Sequence, residues 1–253
     1  MSEILRVRQE DRVLRMTLNR PEKRNALNIA LCRELLSTVH QASPDPGVGC
    51  FLLDAEGPVF CAGMDLHEVL DASPDDLVPL QQALFNLGAT LRKPLVAAVH
   101  GAAIAGGLGL ALTSHILLAA DDATFGLTEI RIGLWPYLIF PSIAAAAGTR
   151  RATELALTGR IFDAAEALRL GLAEQVVPRA ELAERAAEIA RKLGGASAQA
   201  VSDGLGFVEL LHAAPDLAET VMNHRRRAQR SRDFEEGVRA FREKRTPRWP
   251  SHV

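Results

Sequence analysis

This 253-residue chain is short of cysteine, of net charge and of long apolar runs. Its three cysteines, Cys32, Cys50 and Cys61, are odd in number and show no CxxC spacing, which argues against a disulfide framework or a zinc site and suits a reducing compartment. With 29 basic and 31 acidic residues the formal net charge is -2, so bulk composition points to neither nucleic acid nor a membrane surface as partner. No apolar run reaches the roughly 18 residues that a membrane helix needs. The stretch Met1 to Val7 turns charged at Glu3 and lacks the basic-then-apolar layout of a signal peptide, so a soluble cytoplasmic protein is expected. His67, His115, His212 and His224 are scattered without metal-ligand spacing, and no metal is expected. Low-complexity tracts and fixed-period repeats are missing too. Apolar residues are plentiful at 48%, enough for one large domain or a domain with an appendage.

The pattern along the chain predicts alternating strands and helices. Leu5 to Thr17 reads as two strands around a turn at Glu10-Asp11, and Arg20 to Arg24 as a polar loop. From Asn28 onward apolar residues follow helical spacing until Ser43-Pro44-Asp45-Pro46-Gly47. Cys50 to Leu53, Leu95 to Val99 and His115 to Ala120 read as buried strands, with a helix over Leu77 to Leu91 and another opened by Gly106. Asp65 reads as an N-cap. Beyond Arg131 helices predominate: Ser142 to Ala147, Arg151 to Thr158, Ala164 to Leu170 and Arg179 to Leu193, with a strand-like piece at Ala173 to Val177. Three more follow the break at Gly194-Gly195-Ala196-Ser197, over Val201 to Leu211, Leu217 to Arg230 and Phe234 to Lys244. An α/β chain with parallel pairing is expected, residues 1–195 forming a core and 196–253 a helical region.

One stretch carries chemistry. In Val99 to Leu110 small residues separate an apolar strand from an apolar helix, with Gly106-Gly107 at the helix start. Glycine lets backbone approach a ligand, and the first N–H groups of a helix have no partner within it. Forming a thioester enolate moves negative charge onto the thioester oxygen, which fixed N–H donors stabilise. Phe60-Cys61-Ala62-Gly63-Met64-Asp65-Leu66 upstream and Phe125-Gly126-Leu127-Thr128-Glu129 downstream offer a second amide and a carboxylate. Read singly, each signal has a plainer meaning. Gly106-Gly107 serves close helix packing equally well, and Glu129 alone reads as a surface or helix N-terminal carboxylate. His100 beside the loop reads as structural, Ser114-His115 cannot form a triad because strand neighbours point apart, and Cys61 reads as a small core residue. Arg225-Arg226-Arg227 with Arg230 reads as a solvated face or a subunit contact before it reads as an RNA site.

Together these segments resemble the crotonase, or enoyl-CoA hydratase/isomerase, superfamily, from Leu18-Asn19-Arg20-Pro21 to Phe241-Arg242-Glu243-Lys244-Arg245. The resemblance implies an α/β crotonase-like (ClpP/crotonase) spiral of stacked ββα units, then a C-terminal helical region that mediates trimers, often paired into hexamers. It implies an acyl-CoA thioester substrate, no cofactor other than the CoA of that substrate, and Glu129 as catalytic acid/base. The N–H groups of Met64 and Gly106 would hold the thioester oxygen. Arg24, Ala26, Ala62, Asp65 and Leu66 would line the CoA path, and Phe241 and Lys244 would reach its nucleotide end, including from a neighbouring subunit.

One departure matters. Hydratases of this family carry a second glutamate, at the position of Gly109 here. Syn addition of water is easiest with two proton-handling groups, whereas a single carboxylate suffices to take a proton from one carbon and return it two carbons away. The loss tilts expectation toward double-bond isomerisation, and Gly109→Glu is expected to improve hydration. Leu134 to Phe140 is also bulkier than the family's Pro-Gly-rich run, which either reshapes the acyl pocket or adds to the core. Hydration, thioester hydrolysis and decarboxylation remain rival chemistries, and silent acyl-CoA binding or RNA binding rival functions.

Overall fold

The computed structural model describes residues 4–210 and 217–252. His212, Leu211 at the end of an expected helix, and Val253 at the end of the expected helical region lie outside them. Strands β1 (Leu5–Glu10) and β2 (Val13–Leu18) pair antiparallel around Asp11, whose φ of 51° suits a tight turn. Helix α1 (Ile29–Ala42) begins at Asn28, whose side chain accepts a 2.9 Å hydrogen bond from Leu31 N–H, and it buries Leu31, Cys32, Leu35 and Val39. Strands β3 (Cys50–Ala55) and β4 (Val59–Cys61) lead to helices α2 (Leu66–Asp71), α3 (Pro74–Phe85) and α4 (Leu87–Thr90). The single helix expected over Leu77 to Leu91 is thus two, starting earlier and broken at Asn86, whose N–H caps α3 on Gln82 O.

Strands β5 (Leu95–Val99) and β6 (Ala102–Ile104) precede α5 (Gly106–Ala111). Strands β7 (Ile116–Ala120) and β8 (Thr124–Gly126) precede a 3-10 turn at Glu129–Ile132. Then come α6 (Phe140–Ala147), α7 (Thr149–Thr158), β9 (Ile161–Asp163), α8 (Ala164–Arg169), β10 (Gln175–Val177) and α9 (Leu182–Gly194). The chain ends in α10 (Ala198–Leu210), α11 (Leu217–Gln229) and α12 (Arg232–Glu243).

Two sheets result. The larger has the order β1-β2-β3-β5-β7-β10 and is parallel except for β1 with β2; every residue of β5 is buried. The smaller runs β4-β6-β8-β9 and is antiparallel only at β8 with β9. Each pair β3/β4, β5/β6 and β7/β8 therefore gives its long strand to one sheet and its three-residue strand to the other, which makes the successive ββ units climb as a spiral. The small sheet was not foreseen, because three residues are too few to show a period of two. It also places the site: β4, β6 and β8 are parallel neighbours, so the segments after Cys61, Ile104 and Gly126 leave the sheet side by side at the same end.

Candidate active site

Those segments carry the two amides and the acid. A Cβ built on Gly106 would lie 3.5 Å from Met64 N, and a Cβ built on Gly63 would lie 3.4 Å from Gly106 N, so the two amides share one small volume. Gly63 needs to be glycine: its φ is 101° and its added Cβ would stand 3.0 Å from Ile104 O. Among the described residues neither Met64 N–H nor Gly106 N–H donates a hydrogen bond to the protein. Met64 owes this to a β-bridge with Leu27, in which Leu27 N–H donates to Gly63 O and Asp65 N–H to Leu27 O. The residues flanking Met64 face Leu27, so the Met64 amide faces the other way. Ala105, with φ 52° and ψ -124°, turns the chain so that Gly106 opens α5.

Gly106, which opens α5, borders a cavity of about 460 Å³, within the usual range for a small-molecule site. It is lined by Ala62, Met64, Leu66, Phe85, Gly106 and Glu129, closed by Trp135, Leu138 and Ile139, and otherwise mostly apolar. Glu129 contributes the only carboxylate to that lining among the described residues. It is 8% exposed, and its buried Oε2 has no hydrogen-bond partner. Burial pushes its carboxyl above the usual range, opposed by its own backbone N–H. A buried acid without a cation, beside two free amides, is a group poised to exchange a proton with something bound there.

The remaining expected residues fall elsewhere. Arg24 is exposed, and its carbonyl accepts from Ala62 N–H at 3.0 Å. Asp65 does occupy the N-cap position of α2, but its side chain makes no cap bond; its Oδ2 pairs at 3.2 Å with the buried Arg20, whose Nη1 donates to Ala26 O. Neither Arg24, Ala26 nor Asp65 lines the cavity. Phe241 is 85% exposed and borders a different groove, of about 660 Å³, between α10, α11 and α12; Lys244 caps α12. One chain therefore does not bring these two to Glu129.

The plainer readings hold for several side chains. His100 Nε2 meets Gly57 O at 2.7 Å, and His115 Nδ1 accepts from Leu95 N–H, with burial lowering its pKa. Burial pushes the Cys61 thiol up to about 12, which leaves it unreactive. Arg225 stacks on Phe234 and Arg227 pairs with Asp203. Among the described residues no three His, Cys, Asp or Glu side chains gather where they could hold one ion, and no helix is long and apolar enough to cross a membrane. Phe85 escaped the sequence reading, since an apolar residue carries no local mark of lining a site, whereas Leu134 to Ile139, from the segment expected either to reshape the pocket or to add to the core, do line it.

Residues 8–252 match the family model described as enoyl-CoA hydratase/isomerase. A Mycobacterium tuberculosis protein named a probable enoyl-CoA hydratase is 35% identical over 252 residues, 98% of each chain. The mevalonyl-coenzyme A hydratase of Aspergillus fumigatus is 32% identical over 94% of this chain and 91% of its own. The crystal structure of an enoyl-CoA hydratase from Bacillus anthracis superposes with a TM-score of 0.89 at 31% identity, covering 98% of this chain and 99% of that one. A spiral fold that brings two free amides and one buried acid to an apolar cavity thus coincides with end-to-end likeness in sequence and structure: the chain belongs to the enoyl-CoA hydratase/isomerase family.

Proposed function

We propose that this acyl-CoA enzyme shifts a carbon–carbon double bond in an enoyl-CoA thioester, with Glu129 as its single acid/base. The observation that carries the reading is that, among the described residues, Glu129 stands alone as a carboxylate in the cavity while the face of Gly109 is already filled. A Cβ built on Gly109 would come within 2.3 Å of Ile139 Cγ2 and 3.1 Å of the Phe85 ring. The same ring lies 3.3 Å from the Cβ position of Gly106, so the two glycines, one helical turn apart, look into the same space. A second acid at position 109 has no room there unless Ile139 moves.

The thioester oxygen sits between Met64 N–H and Gly106 N–H. Glu129 takes the C2 proton of a 3-enoyl-CoA, the two amides stabilise the dienolate oxygen, and the carboxylic acid so formed returns the proton at C4 to give the 2-enoyl-CoA. The step consumes no water and changes no oxidation state. Arg24, Ala26, Ala62 and Leu66 flank the CoA path, whereas Asp65 is engaged by Arg20 instead; Phe241 and Lys244 meet the nucleotide in a trimer or hexamer, where α12 of one subunit reaches the next.

Hydration is the second reading, favoured by the names of the relatives. One assay separates them: 3-enoyl-CoA converted to 2-enoyl-CoA faster than 2-enoyl-CoA is converted to 3-hydroxyacyl-CoA supports isomerisation, and the reverse order removes it.

A further inference from the structure

We propose that Arg20 is a positioning residue for the Met64 amide, its buried guanidinium clamping together the two segments whose β-bridge aims that amide into the cavity. The proposal rests on the acyl-CoA reading above. The clamp is built from both sides. Arg20 is 9% exposed; its Nη1 donates to Ala26 O, next to Leu27, and its Nη2 pairs with Asp65 Oδ2, next to Met64. Between those anchors lies the bridge itself, Leu27 N–H to Gly63 O at 2.8 Å and Asp65 N–H to Leu27 O at 3.0 Å.

Arg20 is held in turn. Its own N–H donates to Asn25 Oδ1, and the fully buried Asn25 donates from Nδ2 to Glu56 O and Val59 O, each at 2.8 Å. Asn25 sits at φ 53°, a conformation its short amide tolerates better than most residues do. The loop 20–27 is thereby zipped along 56–65 up to Met64, whose amide donates to neither segment. A buried ion pair is a poor source of net stability, but it fixes geometry. A donor displaced by about 1 Å costs roughly a hundredfold in rate.

The test uses the full chain and three readouts: turnover of 3-enoyl-CoA, affinity for a saturated acyl-CoA, and the ultraviolet absorbance of enolate formed from bound 3-oxoacyl-CoA. Arg20→Met and the isosteric Asp65→Asn should each lower kcat about tenfold or more and lower the bound enolate fraction, with saturated acyl-CoA affinity within about twofold of the parent. If Arg20→Met does not fold, Asp65→Asn decides alone. The proposal is overturned if kcat and enolate fraction hold, or if they fall only in step with saturated acyl-CoA affinity, which would make Asp65 a CoA contact. Failure of the acyl-CoA reading looks different: the unmodified protein would neither turn over an enoyl-CoA nor enolise the 3-oxo ligand, and the Arg20 proposal would fall with it.

Discussion

Ile139 Cγ2 occupies the space that any side chain at position 109 would need, standing 2.3 Å from where a Cβ on Gly109 would be. Ile139 is 3% exposed and packs in the main core, so it cannot swing aside freely. The sequence alone suggested that Gly109→Glu would improve hydration. The contact reverses that expectation for the single variant.

Gly109→Glu by itself should therefore destabilise the protein by about 1–3 kcal/mol through overpacking and give no gain in hydration. Combined with Ile139→Ala, the loss should shrink rather than add, because the new side chain fills the vacated volume. Hydration of 2-enoyl-CoA should rise in the double variant only. Melting curves and product analysis on the two singles and the double would check both statements.

Glu129→Gln should cut turnover by about a hundredfold or more while affinity for a saturated acyl-CoA stays within about twofold. The amide keeps the size of the acid and removes only its proton chemistry. Equal turnover in the variant would take Glu129 out of the mechanism.

The raised pKa of Glu129 has a sign for rate and a sign for stability. The base must be ionised to take the C2 proton, so kcat/KM should rise with pH through an inflection above the usual carboxylate range. The folded state prefers the protonated acid. Its contribution to stability is full below the pKa of the unfolded chain and is lost as pH rises through the folded pKa. Glu129→Gln avoids that loss, so its Tm should exceed that of the parent at about pH 8 and the gap should close near pH 4. A gap of constant size would show that ionisation of Glu129 does not oppose folding.

Much of the site was readable before the fold. Gly63, Gly106 and Glu129 stand in motifs whose order survives in sequence, and β5 and β7 announce themselves as apolar runs. Unreadable were the relations that only the sheet creates. The four strands of the small sheet have three residues each, and Ala102–Ile104 contains too little side chain to pattern. Asp65 looked like a cap or a CoA contact because its partner Arg20 is 45 residues away. The Gly109 to Ile139 contact joins two residues whose separate identities carry no hint of each other.

Ala105 gives a last test, of how the Gly106 amide is held. Its φ of 52° with ψ of -124° lies where a Cβ is strained, at a cost of about 1–3 kcal/mol. Its N–H donates to Gly126 O at 2.7 Å, so the strained residue is fastened to β8 on one side and delivers Gly106 on the other. Ala105→Gly removes the strain but restores about 0.4–1 kcal/mol of unfolded-chain entropy. The strain is the larger amount, so Tm should rise, by about 2–4 °C for each net kcal/mol in a chain of this size. A glycine there also reaches other conformations at little cost, which loosens the aim of the next amide, so kcat should fall severalfold as Tm rises. A variant that loses Tm would show that the surrounding contacts, not the Cβ, set the energy of this turn, and one that gains Tm with full kcat would show that the Gly106 amide is held from the α5 side alone.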